Sequence, residues 1–335
     1  IVMVIIAITV MNGGFAGEGF AHEPSSAHEL ARVKQLETSR QGERRAWKRF
    51  TKHPSPSIRR AAMMGLARVQ GPRTEPLIRM GLSDTDPEVR KTAAFALGQL
   101  ARGGLRSLRK QLEKESVPTV RRTLIKALGK RGGKADIPAM VRILRGMNGD
   151  EKAPALISLA LIAKRGSGRL PGFDGTLATA ALTDPSSEIR FSAAYLLFRA
   201  RKLMPRGIET SMQECLHDED PTIRALCVRV MGRLGIEGRH LRDEAAKDPS
   251  WQVQVAVAQA DRAAQDTNAI AERMDNWAAR LESEILAPTS AEFHGVLALI
   301  ETGLSLPSSK IVTKMARALY AASAGFKIKV SEASA

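Results

Sequence analysis

Cysteine is nearly absent: only Cys215 and Cys227 occur in 335 residues. Two are too few for a disulfide framework or a structural zinc site. Aromatics make up only 4% of the chain, which with many Gly and Pro punctuators suits packed short helices better than a β-sandwich. It also leaves little for stacking nucleic-acid bases. The six histidines include no pair at i, i+4 spacing and no His-Glu-x-x-His, so no metal pair is expected. No Ser/His/Asp or Cys/His arrangement stands out. The glycine-rich run 129–135 fails as a phosphate loop. Leu128 stands where its first glycine belongs, and Ala135 follows Lys134 where Ser or Thr is required. No catalytic residue, cofactor or metal is therefore assigned, and the chain does not read as an enzyme.

Positive charge, by contrast, is abundant and local. The net charge is +16, and residues 31–150 hold 28 Lys/Arg against 10 Asp/Glu. An excess this concentrated implies affinity for an anionic surface. Residues 1–10 form an uncharged apolar run, followed by Gly14-Phe15-Ala16 and Gly19-Phe20-Ala21. This pattern reads as the apolar core and cleavage region of a signal peptide over 1–21, with an uncleaved membrane anchor as the alternative. Export to the periplasm or cell envelope is the corresponding expectation.

A repeat follows. Aliphatic–basic pairs recur at Ile58-Arg59, Val89-Arg90, Val120-Arg121, Ile189-Arg190 and Ile223-Arg224, with a degenerate copy at Glu151-Lys152 and a last variant at Val253-Gln254. Their spacings of 31, 31, 31, 38, 34 and 30 residues are those of a stacked solenoid. Proline stands two or four places before most of these pairs, where a first helical turn tolerates it. Small or apolar residues four and eight places after the aliphatic complete one helical stripe, as in Val89, Ala93 and Leu97. Gly98, Gly129 and Gly232 follow the stripe, where a helix-ending glycine is expected. A shorter helix precedes each of these, over 75–82, 105–113, 137–144, 176–182 and 208–216. The longer spacing leaves room for an enlarged loop at 166–175. Beyond residue 264, helices are expected at 267–285, 290–303 and 308–324, with Ser290 and Ser308 as N-caps.

The stretch 84–98, with Asp84, Asp86, Pro87, Val89, Arg90, Ala93 and Ala94, resembles HEAT repeats of the short bacterial type also seen in phycobilisome-lyase-related proteins. Asp218 to Arg224 matches the same pattern. The resemblance spans about residues 43–265 and implies an all-α solenoid of about six to seven helix pairs with terminal capping helices. The corresponding divisions are a signal peptide at 1–21, an N-terminal helix and linker at 22–42, the array at 43–265, and capping helices and tail at 266–335. The family is mostly interaction scaffolds, so the resemblance implies protein binding more than chemistry. Two rival functions follow from similar arrays. One is the repeat region of a larger exported enzyme, such as a cyclophilin-type peptidyl-prolyl isomerase. The other is a lyase-type role on a tetrapyrrole, which no residue here supports.

Two sets of side chains are singled out. In this fold, the repeat arginines Arg59, Arg90, Arg121, Arg190 and Arg224 are expected to form a structural ladder with turn aspartates, here Asp84, Asp86, Asp184, Asp218 and Asp220. Arg59 and Arg121 lack an acid in the turn just before them and should be the freest. One place further, Arg60, Lys91 and Arg122 form a cationic row confined to three repeats, with Lys126 one turn beyond. Arg102, Arg106, Arg109, Lys110, Lys130, Arg131 and Lys134 add charge on the loop side. This row is the candidate surface for an acidic protein partner. Peripheral contact with an anionic membrane is a weaker option, and nucleic acid is disfavoured by the missing aromatics. Cys215 sits late on one helix and Cys227 at a core position of the next. Antiparallel packing could bring them close, either as buried free thiols or, in an exported protein, as a disulfide.

Overall fold

Prolines and aspartates set where the helices begin. Pro56, Pro87, Pro118 and Pro221 each occupy a first helical turn, where the missing N–H has no partner to lose. Asp86 and Asp220 cap two of these helices, accepting from the Val89 and Thr222 N–H groups. A computed structural model describes residues 26–39, 44–71, 73–146, 149–203, 205 and 207–283, with single positions at 298, 301, 313, 317 and 320. The signal-peptide region lies outside the described residues, and so, apart from those single positions, do the helices expected at 290–303 and 308–324.

The described residues contain helices and no strand. After α1 (Ser26–Ser39), they run in pairs of a first helix, A, and a second, B. The pairs are α2 (Arg44–Phe50) with α3 (Pro56–Val69), α4 (Thr74–Gly81) with α5 (Pro87–Gln99), and α6 (Leu105–Lys114) with α7 (Pro118–Arg131). Then come α8 (Ile137–Arg145) with α9 (Gly149–Arg165), α10 (Thr176–Ala180) with α11 (Ser187–Arg199), and α12 (Ile208–Cys215) with α13 (Pro221–Met231). A seventh pair joins α14 (Arg239–Ala245), which the periodicity misses, to α15 (Trp251–Ala263), and α16 (Thr267–Ser283) follows. No helix among the described residues is long and apolar enough to cross a membrane.

The B helices carry the core. Their stripe residues, such as Ile58, Ala62 and Leu66 or Val89, Ala93 and Leu97, are fully buried. Each B helix packs directly on the next, from α3 through α15. Neighbouring A helices scarcely meet, with α2–α4 and α10–α12 the exceptions. A stack that is tight in one layer and open in the other bends towards the tight layer, so the B helices form the inner side.

Glycine makes this tightness possible, in a role different from the expected one. Gly98 and Gly129 lie inside α5 and α7 rather than ending them, and Gly232 caps α13 in a right-handed conformation. None of the three has the positive φ of a left-handed cap. A Cβ would stand 3.0 Å from the Ala127 Cβ at Gly98, 2.6 Å from the Ser158 Cα at Gly129 and 2.7 Å from the Ala260 carbonyl at Gly232. These glycines mark where consecutive B helices cross.

The ends are closed differently. α1 packs against α3, in the place a preceding B helix would take, with Val33 buried and buried Glu29 paired to Arg49 of α2. At the other end a charged network joins α14, α15 and α16. Arg242, wholly buried, donates to Asp261 at 2.7 Å and to Asp266 at 2.9 Å. Arg273 of α16 holds the second Asp261 oxygen at 2.7 Å. Cys215 and Cys227 are joined as a disulfide with a Cα–Cα distance of 6.3 Å, tying α12 to α13. Of the two states open in the sequence, the bonded one is present.

Candidate interaction surface

The arginine following each aliphatic position sits in the first turn of its B helix and is held on two sides. One side is its own turn: Arg90 Nη1 donates to the Asp84 and Thr85 carbonyls at 3.0 and 3.1 Å. The other is a carboxylate of the next repeat, which Nε and Nη2 grip together. Arg59 takes Asp84 in this way at 2.8 and 2.7 Å. Arg90 takes Glu115, Arg121 takes Glu151, Arg190 takes Asp218 and Arg224 takes Asp248. In the degenerate repeat Lys152 reaches Asp184 at 3.9 Å. The turn acid is itself fixed by a backbone N–H two residues on, as in Asp86 N to Asp84 and Val117 N to Glu115.

This geometry corrects several expectations. Arg59 and Arg121 are not free, because the partner comes from the following repeat. Asp86 and Asp220 take no arginine and serve as caps. Glu115, Glu151 and Asp248 complete the ladder, and the sequence reading did not assign them to it. Their signal was available for two of the three: Glu115 and Asp248 stand six places before the next ladder position. Glu151 lacks that register and comes from α9 itself. At the first such position stands His53, whose Nδ1 accepts the Ser55 N–H in the acid's stead.

The carboxylates are strongly held. Burial would raise the Glu115 pKa, but the hydrogen bonds from Arg90 and Gln111, with the Val117 N–H, bring it down to about 2. Asp84 is lowered against the same burial cost by Arg59 and the Asp86 N–H. A second set of arginines reaches backwards from the C-terminal ends of the B helices. Arg131 donates to the Leu97 and Gly103 carbonyls, both at 2.7 Å, and Arg165 to those of Gly129, Lys130 and Gly132. Arg233 does the same at Ala200, and burial lowers its pKa to about 10.

The cationic row behaves differently. Positions two and six after the aliphatic lie opposite the core stripe of each B helix, on the inner side of the array. Arg60 and Lys126 are exposed and Arg122 is half-buried. None of the three makes an ion pair or side-chain hydrogen bond among the described residues. Lys91 pairs with Glu88 of its own helix at 2.9 Å, both ends well exposed, an arrangement that binds weakly. The loop-side cations do not form one surface with these. Arg109 is committed to buried Asp136 at 2.7 Å, Arg131 to carbonyls, and Lys130 to the Gln99 side chain.

One turn along the same inner face runs an apolar row that the sequence reading did not isolate. It comprises Met64 on α3, Phe95 on α5, Ile157 on α9 and Tyr195 on α11, interrupted by Lys126 on α7. Phe95 is 43% exposed. Phe191 stacks on Tyr195 at 6.2 Å with planes 7° apart, and Arg199 covers the Tyr195 ring at 5.1 Å. Among the described residues, no group of three or more His, Cys, Asp or Glu could hold a metal ion. A cleft of about 390 Å³ opens among α6, α7 and α8, lined by Leu112, Ile143 and Arg142 with the Arg109–Asp136 pair.

Comparison with known proteins places this geometry. Residues 46–107 match the family model described as HEAT repeats, the span of α2 to α6 in which the ladder and row begin. No curated protein matches the chain. Among solved structures, this array superposes on an engineered protein with a TM-score of 0.52 at 16% identity, covering 88% of this chain and 91% of that one. It superposes on Escherichia coli YibA with a TM-score of 0.50 at 15% identity, covering 89% and 98%. At these identities the likeness concerns the fold alone. The complex of CpcE and CpcF of phycocyanin lyase from a Nostoc species aligns at a TM-score of 0.43 and 16% identity, covering 92% of this chain and 100% of that one, too loosely to bear on function.

Proposed function

We propose that this HEAT array is a non-catalytic scaffold whose inner face captures an acidic protein partner in its first three repeats. The observation that carries the reading is a contrast between neighbouring residues. Arg59, Arg90 and Arg121 are each neutralised by a carboxylate. Arg60, Arg122 and Lys126, on the inner face of the same three repeats, have no counter-charge among the described residues. An array that pairs its structural arginines and leaves a row unpaired presents a positive potential to a partner.

The same reading places the protein outside the cytoplasm. The apolar run at 1–10 supports export, and so does a closed disulfide, since such bonds persist in oxidising compartments.

Combined charge reversal, Arg60→Glu with Lys91→Glu and Arg122→Glu, tests the binding reading. The probe is fluorescent polyglutamate, titrated at low and physiological salt. The folded wild type should bind it with an affinity that falls as salt rises. The triple variant should lose about tenfold or more while its helical signal and thermal midpoint stay close to wild type. Equal binding by a folded triple variant would sink the proposal.

A further inference from the structure

The inner face carries two rows, and only one is cationic. From the paired rows we infer that the occupant is an amphipathic acidic segment of a partner protein, laid across the B helices. Its carboxylates meet Arg60, Lys91 and Arg122, and its apolar side chains meet Met64, Phe95 and Ile157. The inference rests on the proposed acidic-partner reading and adds the apolar half of the recognition.

The argument is one of complementarity. The two rows lie one helical turn apart, about 5 Å, close enough for one helix, about 10–12 Å across with its side chains, to touch both. A bare polyanion would use the cations and leave Phe95, 43% exposed, in water. Bases of single-stranded nucleic acid would need open aromatic faces, but the Tyr195 ring is already engaged by Phe191 and Arg199. Met64 and Ile157 offer no stacking face at all. With B helices roughly 8–10 Å apart, the four steps from α3 to α11 span about 32–40 Å. A helical occupant of about 25 residues covers that length.

The test uses the full chain and four probes. The first is a 25-residue peptide with Glu and Leu segregated at helical spacing. The others are a scrambled peptide of the same composition, polyglutamate, and single-stranded DNA. The segregated peptide should bind about tenfold tighter than each of the others and keep part of its affinity at high salt. Phe95→Ser and Ile157→Ser should each weaken that peptide several-fold while leaving polyglutamate binding unchanged. Thermal midpoints verify that both variants fold; Phe95 is exposed enough that its variant serves even if the other does not. Equal binding of segregated and scrambled peptides, preference for DNA, or indifference to Phe95→Ser overturns the inference. Polyglutamate binding that the triple charge reversal abolishes would, in those cases, leave the acidic-partner reading standing. Absence of any polyglutamate binding overturns both.

Discussion

Of the three glycines at B-helix crossings, Gly129 leaves the least room for a side chain. Its Cα faces Ser158, whose hydroxyl donates to the Ile125 and Pro154 carbonyls at 3.0 and 2.7 Å. A methyl group at residue 129 meets the backbone of Ser158 as well as its hydroxyl, so rotating one side chain cannot relieve it. Gly129→Ala should therefore cost about 1–3 kcal/mol, as overpacking does. Gly133 has open space around its Cβ direction, and Gly133→Ala should stay within about 0.5 kcal/mol of wild type. Urea unfolding of the two variants side by side measures the difference. Equal stabilities would show that α7 and α9 can move apart. The residue scale also separates two arginines adjacent in sequence. Arg59 is spent on holding α3 to the turn before α5, whereas Arg60 stands exposed on the inner face with no counter-charge among the described residues.

At the level of helices, the ladder works like a row of clasps. Each arginine closes its own A–B turn and grips the next, so the rungs add to the packing of B on B. Glu115 illustrates the linkage to pH. Its pKa falls from an ordinary 4.5 to about 2 in the folded array, so the unfolded chain takes up the proton first. The stabilisation is complete above about pH 4.5 and is lost as pH falls towards 2. Asp84 is lowered as well and acts with the same sign. Thermal midpoints should stay level from neutral pH to about 5 and then drop. Glu115→Gln should cost about 2–3 kcal/mol at pH 7, because Arg90 is left without a counter-charge. It should also flatten part of the acid drop. A variant that melts like wild type at pH 7 would mean that the rung contributes nothing net.

Across the whole molecule, two devices stand outside the repeat. One is the buried network of Arg242, Asp261, Asp266 and Arg273, which attaches α16 to the last pair. The other is the Cys215–Cys227 disulfide, which closes a loop of sequence separation 12 within the sixth pair. A bridge over so short a loop contributes about 3 kcal/mol by restricting the unfolded chain. Thiol titration in denaturant without reductant should find no free thiol. Prior reduction should lower the denaturation midpoint accordingly. Two titratable thiols in protein isolated from its native compartment would refute the bonded state.

The helical repeat was legible from residue spacing, because a 3.6-residue period, turn prolines and a 31-residue recurrence follow from local backbone chemistry. So was the confinement of the cationic row to three repeats, since it needs only a count of charges at equivalent positions. The direction of the ladder was not legible, because Arg59 and Asp84 belong to different repeats and meet only once α3 packs on α5. The glycine role was misread for the same reason: a helix end and a helix crossing favour the same residue, and only the neighbouring helix distinguishes them. The apolar row beside the cations, and the pairing of the two cysteines, likewise arise from side chains that stacking brings together. Local sequence dictates the unit; the contact between units decides which arginines are paired and which are left without a counter-charge.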